Sequence, residues 1–426
     1  MKLNEDDLYR TSTQFRQWSF TIEQLAAQRA KTNLQATERV KLNVARQRAQ
    51  RAQAADFDSG SGNSGIDGSG ANTPNAVTSD KDVDCFTVSE ELTFLEEFCE
   101  RTMLLGNHCK FSDNAVATAV QFLRRFYLYN SPMTYHAQNI SRTAMFLAGK
   151  SESEHQSLEN FATDISSPKI KVTPEQILAP EYLIVQALRF NFDVKHPFRA
   201  LKGGMLDLMT MANGNYEGPN HSNHKSAAEL STALHQVPRQ SGGPAVRASP
   251  EQLTERIMKH SYARASQILK KTAALTDVYF LYTPSQIWLA AYLLADEPLV
   301  LFYLSVKLPS TSPIYEKVIS SLRACAQILS SHRSYRKLQV AADEQAKMDA
   351  EHKAEVKRLI KKLKLCQDPD KVDLVKLNQA QKRDAVQGAD LDEHKAKRRK
   401  MDRENFEKDS DAFWGPELPT NGAKPE

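Results

Sequence analysis

The sequence has few of the residues on which disulfide-rich, zinc-binding and membrane-spanning proteins depend. It contains only five cysteines in 426 residues, an odd number, and no two of them form a CxxC pair. This pattern argues against a disulfide framework and against a zinc site. The longest strongly apolar run, IWLAAYLLA at residues 287–295, is about half of what a membrane-spanning helix needs. The start, MKLNEDDLYR, lacks the apolar core of a secretion signal, so we expect a reduced, intracellular, soluble protein without a membrane partner.

Motifs typical of enzymes are missing as well. The sequence has no glycine-rich phosphate loop and no convincing nucleophile–base pair. Its formal net charge of +4 is too small to indicate wholesale nucleic-acid binding. We therefore expect no catalytic activity, no cofactor, no metal and no direct contact with nucleic acid.

Strand signals are scarce, whereas helix starts are easy to recognise. Thr173, Ser249 and Thr283 each precede a proline and are followed three residues later by a glutamine. A hydroxyl N-cap, a proline at the first helical position and a glutamine that completes a capping box together mark a helix N-terminus. Thr87 and Glu90 form a fourth such box without the proline. Apolar residues recur behind these starts at helical spacing, which predicts an all-α fold of two consecutive blocks, each of about five short helices.

Two polar tracts rich in glycine, serine and asparagine separate these blocks from each other and from the N-terminal segment. They offer too little apolar surface to offset the entropy of ordering, so we predict disordered inserts there. The predicted order is an N-terminal helical extension (1–54), a disordered linker (55–84), a first block (85–210), a disordered polar insert (211–249), a second block (250–340), a C-terminal amphipathic helix (341–366) and a charged, mostly disordered tail (367–426).

One lysine and one glutamate stand out within the apolar helices of the first block. Lys150 ends the segment FLAGK, and Glu181 begins EYLIVQALRF. Lys150 would share a helix face with Leu147, and Glu181 would share one with Val185. A charged group on an apolar face is costly unless it meets a partner. The residues alone favour a simpler interpretation, in which Lys150 is a solvated surface lysine and Glu181 a glutamate at a helix start.

Pro180, immediately before Glu181, interrupts what the pattern otherwise predicts as one helix from Thr173. Proline inside a helix removes a hydrogen bond and clashes with the preceding turn. Either the helix is kinked, or a new helix begins at Pro180. The second arrangement would put Glu181 near a helix N-terminus, where the helix dipole favours a carboxylate.

The first block resembles a cyclin box along most of its length. FLRRFYLYNS (122–131) resembles the end of the second helix of that box, MFLAGK (145–150) its third helix, and QILAPEYLIVQALRFNF (176–192) its fifth. Two flanking segments, QWSFTIEQLAAQRA (17–30) and LTDVYFLYTPSQI (275–287), resemble the cyclins of the cyclin-dependent-kinase-activating kinase. The chain is thus identified as a member of the cyclin family, with two tandem five-helix cyclin-box repeats, an additional N-terminal helix and a C-terminal helix.

The resemblance implies a regulatory subunit that binds and activates a cyclin-dependent kinase. It also implies a RING-domain assembly factor and general transcription factor IIH as partners, and phosphorylation of the C-terminal repeat of RNA polymerase II by the assembled kinase. In this family, the lysine and glutamate matching Lys150 and Glu181 lie side by side and hydrogen-bond backbone groups of the kinase. Leu147, Val185 and Phe190 would supply the neighbouring apolar contacts.

Two further segments invite a functional interpretation. The aromatic residues Trp18 and Phe20 would either cap the core of the second block or join the kinase-facing surface. The tail carries a basic run that fits a nuclear-import signal and predicts a nuclear protein; it consists of Lys395, Lys397, Arg398, Arg399 and Lys400.

A DNA-binding general transcription factor of the same fold is the alternative function. It requires basic faces on both repeats. The first block offers Arg124 and Arg125, but Glu96, Glu97 and Glu100 offset their charge. The sequence therefore favours the kinase-activating cyclin.

Overall fold

The computed structural model of the chain describes residues 9–59, 83–168, 170–218, 225–244, 246–309, 311–371 and 373–376. Regular structure within these ranges is helical, apart from one isolated bridge between Ser167 and Ile170. The predicted all-α class is confirmed. The chain divides into two compact units, residues 1–372 and 373–426, and every helix named below lies in the first unit.

The N-terminal extension forms α1 (Thr13–Trp18) and α2 (Ile22–Ser59). The first repeat consists of α3 (Val88–His108), α4 (Asp113–Tyr129), α5 (Ala137–Ser151), α6 (Leu158–Asp164), α7 (Pro174–Leu178) and α8 (Glu181–Ala187). Helix α4 is its centre, because every residue from 115 to 128 is buried. A helix that is buried all round is covered by its neighbours on every side.

The second repeat is built around α14, the apolar helix that contains the whole IWLAAYLLA run. Its helices are α9 (Phe198–Ala212), α10 (Ala227–His235), α11 (Pro250–Glu255), a π-helix (Arg256–Tyr262), α12 (Ala263–Lys271), α13 (Val278–Leu281), α14 (Pro284–Ala295), α15 (Glu297–Lys307) and α16 (Tyr315–Ser331). The chain then forms α17 (Arg333–Lys337) and α18 (Ala342–Cys366). Helix α18 buries Val356, Leu359 and Leu363, and Lys362 beside them pairs with Glu90 of α3 at 2.9 Å. The C-terminal helix thus packs on the first repeat.

The capping boxes predicted from the sequence are all present. The side chains of Thr87, Thr173, Ser249 and Thr283 each accept a hydrogen bond from the backbone N–H three residues later, and the Glu or Gln side chain there accepts one from the backbone N–H of the cap residue. These reciprocal bonds satisfy N–H groups that the helix itself leaves unpaired.

The first repeat ends earlier than the predicted boundary at residue 210. Helix α9 packs on α14 of the second repeat, and Gly204 lies against the indole of Trp288 so closely that a Cβ atom would come within 2.6 Å of a ring carbon. Helix α9 therefore belongs to the second repeat, and the prediction that this repeat begins at residue 250 is wrong. A contact between residues 84 positions apart leaves no local signal in the sequence.

The predicted insert at 211–249 is not disordered throughout. Ser226 and Glu229 form a capping box at the start of α10, and Leu230 and Leu234 on that helix are buried. The Arg256 guanidinium donates a hydrogen bond to the Val237 carbonyl at 2.9 Å, which orders the chain after α10. Residues 219–224 and 245 of this insert lie outside the described residues.

Both other predicted disordered segments also contain ordered residues. Helix α2 continues to Ser59, beyond the predicted end of the extension at residue 54; residues 60–82 of the predicted linker lie outside the described residues. At the start of the predicted tail, Asp368 is fully buried and accepts a hydrogen bond from Asn43 of α2 at 2.9 Å. The ordered chain therefore extends past Cys366.

Trp18 joins the N-terminal extension to both repeats. Its side chain is fully buried and packs with Leu128 of the first repeat and Phe280 of the second. Phe20 lies edge-to-face against Phe280 with ring centroids 6.0 Å apart. A bidentate ion pair between Arg29 and Asp277, at 2.6 and 2.8 Å, reinforces the same junction. Trp18 thus fills the seam between the repeats as well as the core of the second one.

Glu91 on α3 is half-buried, and its carboxyl group has no basic partner among the residues that the structure describes. The Ser131 hydroxyl donates a hydrogen bond to it, and Asn33 of α2 also hydrogen-bonds it. Burial outweighs these two bonds and raises the pKa of Glu91 to about 7. Because its pKa in the folded state lies above the ordinary value of 4.5, the group contributes stability below that value and loses it as the pH rises through about 7.

Replacing Glu91 with glutamine is expected to stabilise the chain at pH 8 by about 2–3 kcal/mol, because glutamine resembles the protonated acid at every pH. At pH 5 wild type and variant should have nearly equal free energies of unfolding. Urea denaturation at both pH values measures the difference. Glu90→Gln is the matched control with the opposite sign, since hydrogen bonds from Lys362 and Thr87 outweigh desolvation and lower the pKa of Glu90 to about 2. Identical pH profiles for wild type and Glu91→Gln would contradict the assignment.

Candidate functional site

Lys150 and Glu181 meet on the surface of the first repeat. The ammonium group of Lys150 donates a hydrogen bond to the Glu181 carboxylate, and the side chains are 41% and 26% exposed. Lys150 lies in the last turn of α5 and Glu181 in the first turn of α8, where the helix dipoles favour a cation and an anion respectively. The Lys150 ammonium also lies 4.8 Å from the centre of the Phe146 ring. The pair therefore remains open to a partner while its orientation is fixed.

Pro180 produces the second of the two arrangements that the sequence allowed. Helix α7 stops at Leu178, and Pro180 is the residue that precedes α8. A new helix begins here, and in its first hydrogen bond the Ile184 N–H donates to the Pro180 carbonyl at 2.9 Å. This restart turns Glu181 toward the end of α5 instead of continuing the direction of α7.

The apolar residues predicted for the site differ in exposure. Leu147 is buried in α5, and Val185 is half-buried on α8. Phe190, directly after α8, is 65% exposed. Exposed Tyr182 and Leu178 lie on the same α7–α8 corner and were not predicted. These two residues are four positions apart, and they lie on the side of the corner opposite buried Ile177 and Ile184. This spacing is the sequence pattern from which they could have been predicted.

A left-handed turn carries Phe190. Arg189 and Phe190 have φ angles of 55° and 56°, and their N–H groups donate to the carbonyls of Gln186 and Val185 at 2.9 and 3.0 Å. These two bonds form a Schellman motif, in which the position of Arg189 is usually glycine. Each non-glycine residue in this region costs on the order of 1–3 kcal/mol, and such strain is concentrated at functional sites.

The arginines on which the DNA-binding alternative depends are inaccessible. Arg124 and Arg125 are buried, and Arg124 donates to the carbonyl of Leu275 and to Asp277. Arg125 stacks on the ring of Trp18 at 5.0 Å. Both guanidinium groups thus hold the seam between the repeats instead of forming a basic face.

Three potential metal ligands approach one another where α18 packs on α3. Ligand atoms of Glu97, Glu100 and His352 lie within 4.8 Å of one another. Glu97, however, lies 3.2 Å from the His352 imidazole and accepts a hydrogen bond from Arg101 at 2.7 Å; these two contacts lower the pKa of Glu97 to about 2, and Glu100 pairs with Arg333. Protein cations already satisfy these carboxylates, so the arrangement fits an ion-pair network better than a metal site.

The predicted nuclear-import residues, Lys395 to Lys400, lie outside the described residues. Among the helices that are described, none combines the length and the hydropathy needed to cross a bilayer.

Two family models match the chain, the cyclin N-terminal domain over residues 90–193 and the cyclin C-terminal domain over residues 196–330. Their junction falls just before α9, as the packing of that helix on the second repeat requires. The chain belongs to the cyclin family.

The curated relatives of the chain are other cyclins. The chain is 29% identical to Cyclin CCL1 of Saccharomyces cerevisiae, over 74% of this chain and 65% of that protein, and 27% identical to Cyclin mcs2 of Schizosaccharomyces pombe, over 75% and 79%. It thus spans slightly less than two thirds of the length of Cyclin CCL1. Among solved structures, it is similar to a chain of the CAK complex of Chaetomium thermophilum bound to ATP-γ-S, with a TM-score of 0.65 and 30% identity over 90% of this chain and 96% of that one. The predicted resemblance to cyclins of this kinase complex is confirmed.

Proposed function

We propose that the chain is the regulatory cyclin of a cyclin-dependent-kinase-activating kinase, a cyclin of the H type, and that it contains no catalytic group of its own. The observation that carries this proposal is the solvent-accessible pair of Lys150 and Glu181 beside the exposed apolar side chains of Tyr182 and Phe190. The similarity to a chain of a CAK complex supports it.

The mechanism is a shift between two positions of a kinase helix. A protein kinase is active only when a glutamate on that mobile helix pairs with the lysine that holds the phosphates of ATP. Lys150 and Glu181 would hydrogen-bond backbone groups of the kinase, and Leu147, Val185 and Phe190 would contact its apolar side chains. A rigid surface that binds the inward position better than the outward one moves the equilibrium by its difference in affinity. A full shift from 1:99 to 99:1 requires about 5.5 kcal/mol.

The wider assembly follows from the same resemblance. A RING-domain assembly factor and general transcription factor IIH would be the further partners, and the RNA polymerase II C-terminal repeat would be a substrate of the assembled kinase. This function requires a nuclear protein, and the basic run in the tail supplies a candidate import signal.

Glu181→Ala is expected to weaken kinase binding by about 2 kcal/mol or more, roughly thirtyfold, because it leaves Lys150 unpaired once the surface is covered. Biolayer interferometry with the cyclin-dependent kinase that co-purifies with the tagged chain measures the affinity. Glu159→Ala, at an exposed position of α6, is the matched control and should bind like wild type. Equal affinity of the Glu181→Ala variant and wild type, with unchanged circular dichroism, would remove this pair from the interface.

Alanine at all five basic tail positions is expected to move the protein from the nucleus to the cytoplasm, because importin receptors recognise clustered positive charge. Fluorescence microscopy of a tagged chain checks the prediction. The basic residues tested are Lys395, Lys397, Arg398, Arg399 and Lys400. Undiminished nuclear accumulation of this variant would assign import to another segment or to a partner.

A further inference from the structure

The left-handed turn at Arg189 and Phe190 is held both from within the first repeat and from the N-terminal extension. The Arg189 guanidinium lies over the ring of Trp18 at 5.7 Å and over that of Tyr129 at 5.1 Å. It also donates a hydrogen bond to the Tyr129 hydroxyl at 3.0 Å. Arginine stacks on aromatic faces through the attraction between its charge and the ring quadrupole. One side chain therefore ties this turn both to α4 and to the N-terminal extension.

Trp18, one of the two rings on which Arg189 stacks, is held rigidly. Trp18 is fully buried and packs against Leu25 and Phe280, and Arg125 stacks on the same indole at 5.0 Å. Arg189 is exposed and makes no ion pair among the described residues, so aromatic stacking and one hydrogen bond account for its position. A flexible side chain ordered against a buried ring can fix the backbone that carries it.

We propose that Arg189 is a positioning residue, which locks the left-handed turn onto Trp18 and Tyr129 and thereby presents Phe190 to the kinase. The inference rests on the proposed function, because it takes Phe190 as a kinase contact. It adds that the N-terminal extension influences the kinase-facing surface through Trp18 and Arg189, without touching the kinase at this point. Holding a contact side chain in its bound orientation reduces the entropy lost on association.

Arg189→Gly separates this role from a purely local one. Glycine is the residue that the left-handed position favours, so the turn itself loses no stability through the change. Without the stacked guanidinium, however, the turn is no longer tied to Trp18. We expect a kinase affinity about tenfold below that of wild type, with an unchanged melting temperature. Wild-type affinity in Arg189→Gly would overturn the proposal. Arg189→Lys keeps the charge but loses the planar stacking group, so its kinase affinity should lie between those of wild type and Arg189→Gly.

A double-mutant cycle tests whether Arg189 acts through Phe190. In a Phe190→Ala background, Arg189→Gly should change the affinity less than twofold, because the side chain being positioned is absent. A further tenfold loss would show that the two residues act independently and would overturn the proposal.

Hydrogen exchange of the chain alone distinguishes failure of this inference from failure of the proposed function. The Phe190 N–H is bonded to the Val185 carbonyl, and Arg189→Ala removes the anchor while keeping a residue that disfavours the left-handed region. We expect this amide to exchange at least tenfold faster in Arg189→Ala than in wild type. Unchanged exchange would overturn the anchoring role, whether or not a kinase binds. Faster exchange in a chain that binds no kinase would uphold the anchor and reject the proposed function.

Discussion

Lys150→Glu is expected to weaken kinase binding by about 2–5 kcal/mol, that is, tens- to thousands-fold in affinity. The substitution puts two carboxylates where the structure has an ion pair. In water their repulsion is screened, but a bound kinase would exclude that water and leave both charges without a partner. The expected loss is larger than that for Glu181→Ala, since reversal adds repulsion to the missing bond.

The same substitution should leave folding nearly intact, which makes the result interpretable. The Lys150 side chain is 41% exposed, and exposed ion pairs contribute about 0–1 kcal/mol to stability. Isothermal titration calorimetry gives the affinity, and circular dichroism the melting temperature. Lys202→Glu, at an exposed position of α9 in the second repeat, is the matched charge reversal and should bind normally. Equal losses in both variants would indicate a general effect of charge and not a local contact.

Asp296→Ala is expected to destabilise the fold by about 3–5 kcal/mol, the largest stability effect that we predict. Asp296 and Arg256 form a bidentate pair with both distances at 2.7 Å, and each side chain is only 8% exposed. Asp296 also accepts hydrogen bonds from the Ser261 hydroxyl and from the Leu299 N–H, where it caps α15. Removing it leaves a buried guanidinium without its counter-ion and a helix without its cap.

Thermal unfolding measures this loss, and an exposed pair supplies the control. Because the entropy of unfolding grows with chain length, a chain of 426 residues shifts by only about 1–2 °C per kcal/mol, so the melting temperature should fall by roughly 3–10 °C. Glu255→Ala breaks the exposed pair with Lys259 on the same segment and should cost less than about 1 kcal/mol. A melting temperature of Asp296→Ala within about 1 °C of wild type, which corresponds to about 1 kcal/mol or less, would mean that other groups balance the charge of Arg256.

Local chemistry explains which parts of the fold the sequence could predict. The helix starts at Thr87, Thr173, Ser249 and Thr283 depend on residues within four positions of one another, and all four were found. The proximity of Lys150 and Glu181 came from the resemblance to cyclins instead, because no local rule relates two helices 31 positions apart.

Contacts between distant segments explain what was missed. Helix α9 was assigned to the wrong repeat because its partner Trp288 lies on α14. Helix α10 was taken for part of a disordered insert, since its two buried leucines stand among polar and small residues over only nine positions. The left-handed conformation of Arg189 had no signal at all, because a sequence that calls for this turn usually contains glycine.

The most direct test of the central claim is a kinase assay with purified components. The tagged chain is purified from its own cells, the cyclin-dependent kinase recovered with it is separated, and phosphorylation of an RNA polymerase II repeat peptide is measured as the chain is added back. The account predicts that activity rises with wild-type chain until the kinase is saturated, and that folded Lys150→Glu requires far higher concentrations for the same activity. A kinase whose activity does not respond to the wild-type chain, or responds equally to both proteins, would contradict it.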